Sequence, residues 1–245
     1  MKSYYITDTG LMRDHNEDNV SIVKNELKEH MLIVADGMGG HRAGEVASQI
    51  AVDHLTKRFK ALSSIGNKVD AYNWLKENIS IINHEIIKYA NAHEEARGMG
   101  TTLVIAILTN DFLLFANIGD SSGYVIKNKK LHKVTKDHSL INVLIDAGEL
   151  TEEEAKNYPK KNVLMKALGV AERVEPDEFD VETTVDGILL ASDGLTNMLS
   201  EKQIETVLNE ENISIEEKLK KLIKKCNSRG GLDNISIAYL VKEND

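Results

Sequence analysis

One cysteine, two prolines, no long apolar run and no excess of positive charge define this chain first by what it excludes. A lone thiol, Cys226, cannot close an internal disulfide, and the chain reads as a protein of a reducing compartment, most simply the cytoplasm. No apolar run is longer than Leu103–Leu108, far short of the ~20 residues that span a bilayer. The start, Met1-Lys2-Ser3-Tyr4-Tyr5-Ile6, lacks the apolar stretch of a signal peptide. A membrane partner is not expected. The net charge of −9 removes the basic face that phosphate-backbone binding needs, so nucleic acid is not expected either. The near absence of proline, with no Gly/Ser-rich linker, repeat or low-complexity stretch, leaves no seam at which to divide the 245 residues. A single domain over 1–245 is expected, and with it a monomer.

What the chain does contain is acid in an unusual place. Five short motifs carry it: Arg13-Asp14-His15-Asn16-Glu17-Asp18, Asp36-Gly37-Met38-Gly39-Gly40-His41, Gly119-Asp120-Ser121, Ser192-Asp193-Gly194 and Asp233-Asn234. Each adjoins a run that reads as a strand, such as Met31–Ala35 or Gly187–Ala191. A carboxylate set against apolar sequence is costly to desolvate unless something positive meets it. Five of them point to one shared cationic centre. Oxygen ligands, without a cysteine cluster or histidine pair, suit Mg²⁺ or Mn²⁺.

The surrounding pattern is α+β. Ala43, Val46, Ala47, Ile50, Ala51 and Leu55 form a helical stripe, as do Leu75, Ile79, Ile82, Ile86 and Ala90, and Leu219, Leu222, Ile223 and Cys226. Ser214 with Glu217, and Ser200 with Gln203, have capping-box spacing, and Leu199 and Ile204 are placed as a hydrophobic staple. Strands are expected at Tyr4–Thr7, Asn19–Val23, Met31–Ala35, Thr102–Leu108, Phe112–Asn117, Tyr124–Lys127, Leu131–Thr135, Gly187–Ala191 and Ile235–Val241. Short polar turns between several of them suit antiparallel hairpins. From Ser139 to about Pro176 the strand rhythm breaks. Helix-like sequence at Leu140–Ala147 and a capping pattern at Thr151–Glu154 mark a mobile flap or subdomain at 139–176.

A carboxylate such as Asp36 that bridges two divalent ions about 3.5–4 Å apart would let them present hydroxide at neutral pH and neutralise a phosphoryl group. The glycines after Asp36 would let the Gly37 carbonyl approach an ion. Asp193 and Asp233 would complete the shell, with Glu17 and Asp18 holding bound waters. Arg13 can clamp two phosphate oxygens. His41 could face the cleft. The other histidines read as structural, His138 as part of the flap base. Cys226 lies in an apolar stripe, and lysines 218, 220, 221, 224 and 225 form a solvated helix face.

The ordered set Thr7-Asp8-Thr9-Gly10…Arg13…Asn16-Glu17-Asp18-Asn19, Ala35–His41, Gly98–Leu103, Asn117–Ser121, Thr135–Ser139, Ala191–Thr196 and Asp233–Ser236 resembles the metal-dependent protein phosphatase family, the type-2C Ser/Thr phosphatases in their bacterial form. The resemblance spans nearly the whole chain. It implies a four-layer α-β-β-α sandwich of two antiparallel sheets flanked by helices, with the metals in a cleft at one edge. It implies hydrolysis of phosphoserine and phosphothreonine in proteins by a metal-bridged hydroxide, without a phosphoenzyme, in opposition to a Ser/Thr kinase. Asp36 would bridge both ions with the Gly37 carbonyl on one of them. Asp193 and Asp233 would bind the other, and Asp120 with Asp193 a weaker third. Thr102 and Asn234 would support the site. Three positions depart from the family: Met38 replaces a histidine proposed as general acid, Asn197 replaces an aspartate near the third ion, and Ser122 replaces an arginine. Two other classes compete, a non-catalytic phosphoprotein-binding regulator on the same fold and a metal-dependent phosphodiesterase or nuclease. Loss of a metal carboxylate would mark the first, and none is lost. The acidic balance disfavours the second.

Overall fold

The computed structural model describes residues 1–39, 43–155, 158 and 163–242. In chain order its strands are β1 (Lys2–Asp8), β2 (Asp18–Lys24), β3 (His30–Met38), β4 (Gly100–Thr101), β5 (Leu103–Leu108), β6 (Leu113–Ile118), β7 (Ser122–Lys127), β8 (Lys130–Lys133), β9 (Asp177–Val181), β10 (Gly187–Ala191) and β11 (Ile235–Val241). The helices are α1 (Ala43–Lys60), α2 (Lys68–Ala92), α3 (Leu140–Asp146), α4 (Glu152–Ala155), α5 (Asp193–Thr196), α6 (Glu201–Leu208) and α7 (Ile215–Ser228). One sheet runs β1-β11-β10-β7-β8 and the other β2-β3-β5-β6-β9, with β4 paired to β3. The pairings are antiparallel.

Side-chain alternation sorts the strands into four layers. Met31, Ile33 and Ala35 of β3 point to α1 and α2, where they meet Ala47, Leu55, Leu75 and Ile82. Leu32 and Val34 point the other way, onto Leu190, Ala238 and Leu240 of the opposite sheet. The second sheet repeats the division: Leu189, Ala191, Ile235 and Ile237 pack under Leu199, Ile204, Leu219, Leu222 and Cys226. Both faces of the central strands are therefore dry. That is why β3, β5, β10 and β11 read as unbroken apolar runs rather than alternating ones. The expected α-β-β-α sandwich is present.

The helix ends follow their chemistry. The capping boxes at Ser214–Glu217 and Ser200–Gln203 are formed, and Thr151 and Glu154 bond reciprocally at the start of α4. Leu199 and Ile204 are buried together. Cys226 is fully buried and burial lifts its thiol to about 11. Lys220 and Lys221 pair with Glu216 and Glu210 on the wet side of α7.

Three elements lay outside the sequence expectation. β9, sequence DEFDV, is too acidic to resemble a strand; it forms the sheet edge, with only Phe179 and Val181 turned to the core. Charge on an edge strand blocks further pairing. α5 is a single turn after β10, and β4 is split from β5 because the Thr102 amide turns to the Asp36 carbonyl at 2.9 Å.

Among the described residues of the 139–176 segment, α3 and α4 are helical. Its return is fastened. Leu168 bridges Thr101, and Ser139 bridges Leu164. Buried Asn83 of α2 accepts from the Gly169 amide at 2.7 Å and donates to the carbonyls of Ala171 and Glu172 at 2.9 and 3.2 Å. Replacing Asn83 by Ala strands these backbone groups, a loss of about 1–3 kcal/mol. Asn83→Ala should lower the thermal midpoint by several degrees and raise hydrogen exchange over residues 168–172 before the rest of the chain. Unchanged exchange there would mean that Asn83 does not hold the segment.

Candidate metal centre

Strand register delivers the acidic residues to one edge of the sandwich. Asp18, first residue of β2, lies directly opposite Asp36 near the end of β3. Asp120 follows β6, Asp193 follows β10 and Asp233 precedes β11. The pairings Leu103 with Ile118, Ala191 with Ser122, and Ala191 with Ile237 align these strand ends. Like charges directly opposite in a sheet are destabilising. This sheet carries such a pair where water is excluded: Asp18 is 4% exposed.

Asp18 and Asp193 are close enough to Asp36 for their charges to repel it. Desolvation, then repulsion from Asp18, Asp193, Asp120 and Asp233, holds the Asp36 carboxyl well above the usual carboxylate range. Desolvation with repulsion from Asp120 and Asp233 lifts Asp193 to about 7. Asp18 is pushed by burial to about 6, against the pull of its bond from Ser192. Asp120 and Glu17 are raised too, chiefly by burial. A shell of this kind binds protons when nothing else compensates it.

Several of these acidic residues are also held in place by side-chain or backbone bonds. The Ser192 hydroxyl donates to Asp18 at 2.7 Å and accepts from the Ser236 amide at 2.9 Å. The Asp36 amide donates to the Thr102 hydroxyl at 3.0 Å, and Thr102 in turn meets Ser121 at 2.8 Å. Asn234 accepts from the Glu17 amide at 2.8 Å and donates to the carbonyls of Thr9 and His15 at 2.8 and 2.9 Å, which ties the Arg13 loop to β11. Thr102 and Asn234 thus occupy the supporting places expected of them. Ser192, Ser236 and Ser121 were not singled out from the sequence. A hydroxyl embedded in apolar strand sequence was the available signal, because a buried hydroxyl requires a partner.

The donor set fits a hard cation. Oδ1 of Asp18, Oδ1 of Asp193 and Oε1 of Glu17 are buried without a hydrogen-bond partner. Buried carboxylate oxygens in that condition call for a positive ligand. Among the described residues no three acidic, histidine or cysteine side chains converge on one point in the geometry of a bound ion. The fit therefore rests on these open oxygens and on the crowding of negative charge.

Arg13 is the cation at the rim. Its Nη2 donates to Asp233 Oδ2 at 2.9 Å, and half of its side chain is exposed. One N–H in use leaves the rest of the guanidinium fork available to an anion. His41 lies outside the described residues.

The departures acquire local reasons. The Met38 methyl packs toward the Gly100 backbone, and a thioether offers no proton. Asn197 donates to Asp193 Oδ2 at 2.9 Å, so its amide orients that carboxylate. Ser122 is buried at the start of β7 and reaches Asp137 at a long 3.4 Å. His138 accepts from the Gly119 amide at 2.9 Å through Nδ1, which leaves its proton on Nε2, 3.1 Å from Asp177. It ties the turn after β6 to the start of β9.

The glycine of Asp36-Gly37 has a reason beyond ligand access. A Cβ at Gly37 would lie 2.1 Å from the Gly44 carbonyl oxygen, so β3 and α1 touch backbone to backbone there. At Gly194 a Cβ would lie 1.9 Å from the Asn234 carbonyl oxygen.

The family model described as "Protein phosphatase 2C" matches residues 13–234. The serine/threonine phosphatase stp of Listeria monocytogenes is 44% identical over 244 residues, covering 99% of this chain and 96% of its own. The crystal structure of the serine/threonine phosphatase Stp1 from Staphylococcus aureus superposes with a TM-score of 0.91 at 38% identity, covering 99% of this chain and 95% of that one. The catalytic domain of the serine/threonine protein phosphatase PstP, solved in complex with two manganese ions, gives 0.84 at 31% identity, covering 99% and 98%.

Gly194→Ala should displace the Asp233–Asn234 turn, since both atoms nearer than 3 Å belong to the Asn234 backbone. The expected outcome is a folded protein whose Mn²⁺ affinity, read by calorimetry, drops at least tenfold. An unaltered affinity would show that the Gly194–Asn234 contact does not position the cluster.

Proposed function

Because the chain belongs to the protein phosphatase 2C family, we propose that it hydrolyses phosphoserine and phosphothreonine in proteins, with divalent ions held by Asp36, the Gly37 carbonyl, Asp193 and Asp233, and a weaker ion by Asp120 with Asp193. One observation carries this reading: carboxylates from five strand ends crowd together with open buried oxygens, beside an exposed arginine. The two rival classes are less well supported. Every carboxylate of the expected set is retained, which a binding-only regulator would not require. The net charge of −9 opposes a polynucleotide substrate.

When bound, Mg²⁺ or Mn²⁺ would supply acidity for a water nucleophile and positive charge against the phosphoryl oxygens. The chain's own residues do the remainder. Asp36, repelled by Asp18, Asp193, Asp120 and Asp233, would be a shared ligand of the ions. Glu17 and Asp18 orient water at its edge. Arg13 binds the phosphate with its free N–H groups, and Asp233 holds the guanidinium in place until then. With Met38 in place of an imidazole, the departing seryl or threonyl oxygen must take its proton from water or another group. The substrates are phosphorylated proteins, so a Ser/Thr kinase must act upstream. The whole chain serves as one catalytic unit, because the ligands span residues 36 to 233. The 139–176 segment, which contains none of the core ligands, selects among protein substrates.

Hydrolysis of p-nitrophenyl phosphate should require added Mn²⁺ or Mg²⁺ and vanish in EDTA. Metal binding should release protons, more at pH 6 than at pH 8. The sign follows from carboxyls such as Asp193, raised to about 7, which are protonated below that pH and must lose the proton to bind an ion. Asp36→Asn should abolish turnover while circular dichroism stays native. Full activity of metal-stripped protein, or of Asp36→Asn, would exclude this mechanism.

Arg13→Ala should raise KM with a smaller effect on kcat, by the loss of a charge-assisted contact worth about 1.5–3 kcal/mol. Arg13→Lys should recover only part of it, because an ammonium lacks the two-pronged geometry. An unchanged KM in both would place Arg13 outside the phosphate site.

A further inference from the structure

Beside Arg13 the chain exposes an apolar patch that the core does not need. Leu11 is 64% exposed, Met12 68% and Leu232 60%. They come from two loops 220 residues apart that the backbone locks together: the amides of Leu11 and Met12 both donate to the Gly231 carbonyl, at 2.8 and 3.1 Å. Gly231 is buried beneath Leu11, whose Cγ lies 3.0 Å from where a Cβ would stand. On the far side Gly10, at φ +77°, donates to Asp8 at 2.9 Å, and Asn227 donates to the same carboxylate oxygen at 3.1 Å. The three side chains are therefore carried on a fixed base. Scattered exposed aliphatics need no explanation, but three on two loops whose backbones are bonded together beside Arg13 mark an interaction surface. Exposed groups that are already ordered also lose little freedom on binding.

The position identifies the occupant. Met12 immediately precedes Arg13, and Leu232 immediately precedes its partner Asp233. A phosphoprotein whose phosphate reaches Arg13 must lay the residues flanking its phosphoserine or phosphothreonine over these neighbours. Around Arg13 stand the exposed Asp14 and His15 and, paired with it, Asp233, with Glu17 nearby. Acidic flanks meet repulsion there, and apolar flanks meet a matching surface.

We propose that Leu11, Met12 and Leu232 form a specificity surface that receives an apolar side chain next to the phosphorylated residue of the substrate. The proposal rests on the phosphatase reading, and the test separates the two. Phosphothreonine peptides are compared in which one position, from three before to three after the phosphothreonine, is Leu or Ser, alongside p-nitrophenyl phosphate. At one or more positions the wild type should favour Leu roughly five- to tenfold in kcat/KM, the size of a partly buried aliphatic contact. The triple variant Leu11→Ser, Met12→Ser, Leu232→Ser should lose that preference and keep its turnover of p-nitrophenyl phosphate. Should the triple variant misfold, Met12→Glu alone should shift preference toward lysine at the same position. No Leu preference in the wild type, or a preference that survives in the variants, overturns the proposal. Absence of p-nitrophenyl phosphate hydrolysis by the wild type would instead overturn the phosphatase reading itself.

Discussion

The constraint on which the rest of the structure depends is the placement of Asp36 among other carboxylates at the dry edge of two sheets. Asp18 faces it across the β2–β3 ladder, and Asp193 arrives from the second sheet. Local propensity alone would not bring them together, since each is repelled by the others and loses water. They meet because the strands that carry them are buried on both faces and have no freedom to slip. A one-residue shift of β3 would turn Met31, Ile33 and Ala35 from the helices to the opposite sheet. Core packing thus fixes register, and register fixes the cluster. The hydrophobic burial of the sandwich offsets the electrostatic cost at its edge.

Polar supports carry that constraint outward. Ser192, Ser236, Thr102, Ser121 and Asn234 are short side chains at strand ends, and each joins two segments distant in sequence. Their bonds are buried or partly buried, where an unmade one is expensive. Glycines complete the arrangement by removing volume: β3 approaches α1 through Gly37 and Gly44, and α5 approaches β11 through Gly194. A motif such as Asp-Gly here encodes two things, a ligand and the bare backbone that lets a neighbouring element reach it.

Much of this was legible in the sequence because the physics is local there. Doubly buried strands leave unbroken apolar runs, capped helices leave Ser-x-x-Glu or Ser-x-x-Gln, and carboxylates beside apolar runs stand out. β9 was not legible, since its acidic face lies at a sheet edge and only two side chains turn inward. The α5 turn was hidden because four residues carry no period. The three serines were passed over because a hydroxyl's partner is a property of the fold and not of its neighbours. Nor could sequence spacing show that Gly37 is a packing glycine, because Gly44 becomes its neighbour only when α1 folds back on β3.

The same logic separates rigid from selectable parts of the surface. Residues that touch the cluster are constrained from several directions, so they have little room to encode a preference among substrates. Leu11, Met12 and Leu232 differ: the amides of Leu11 and Met12 are fixed on the Gly231 carbonyl, next to Leu232 in the chain, while all three side chains are exposed. The fastened return of the 139–176 segment repeats the pattern on the other side of β4, with Asn83 and Thr101 holding backbone while Met165 and Val170 stay exposed. A surface built in this way can change its side chains without moving a carboxylate. The carboxylates are locked by register, whereas these exposed side chains are held by their backbone alone.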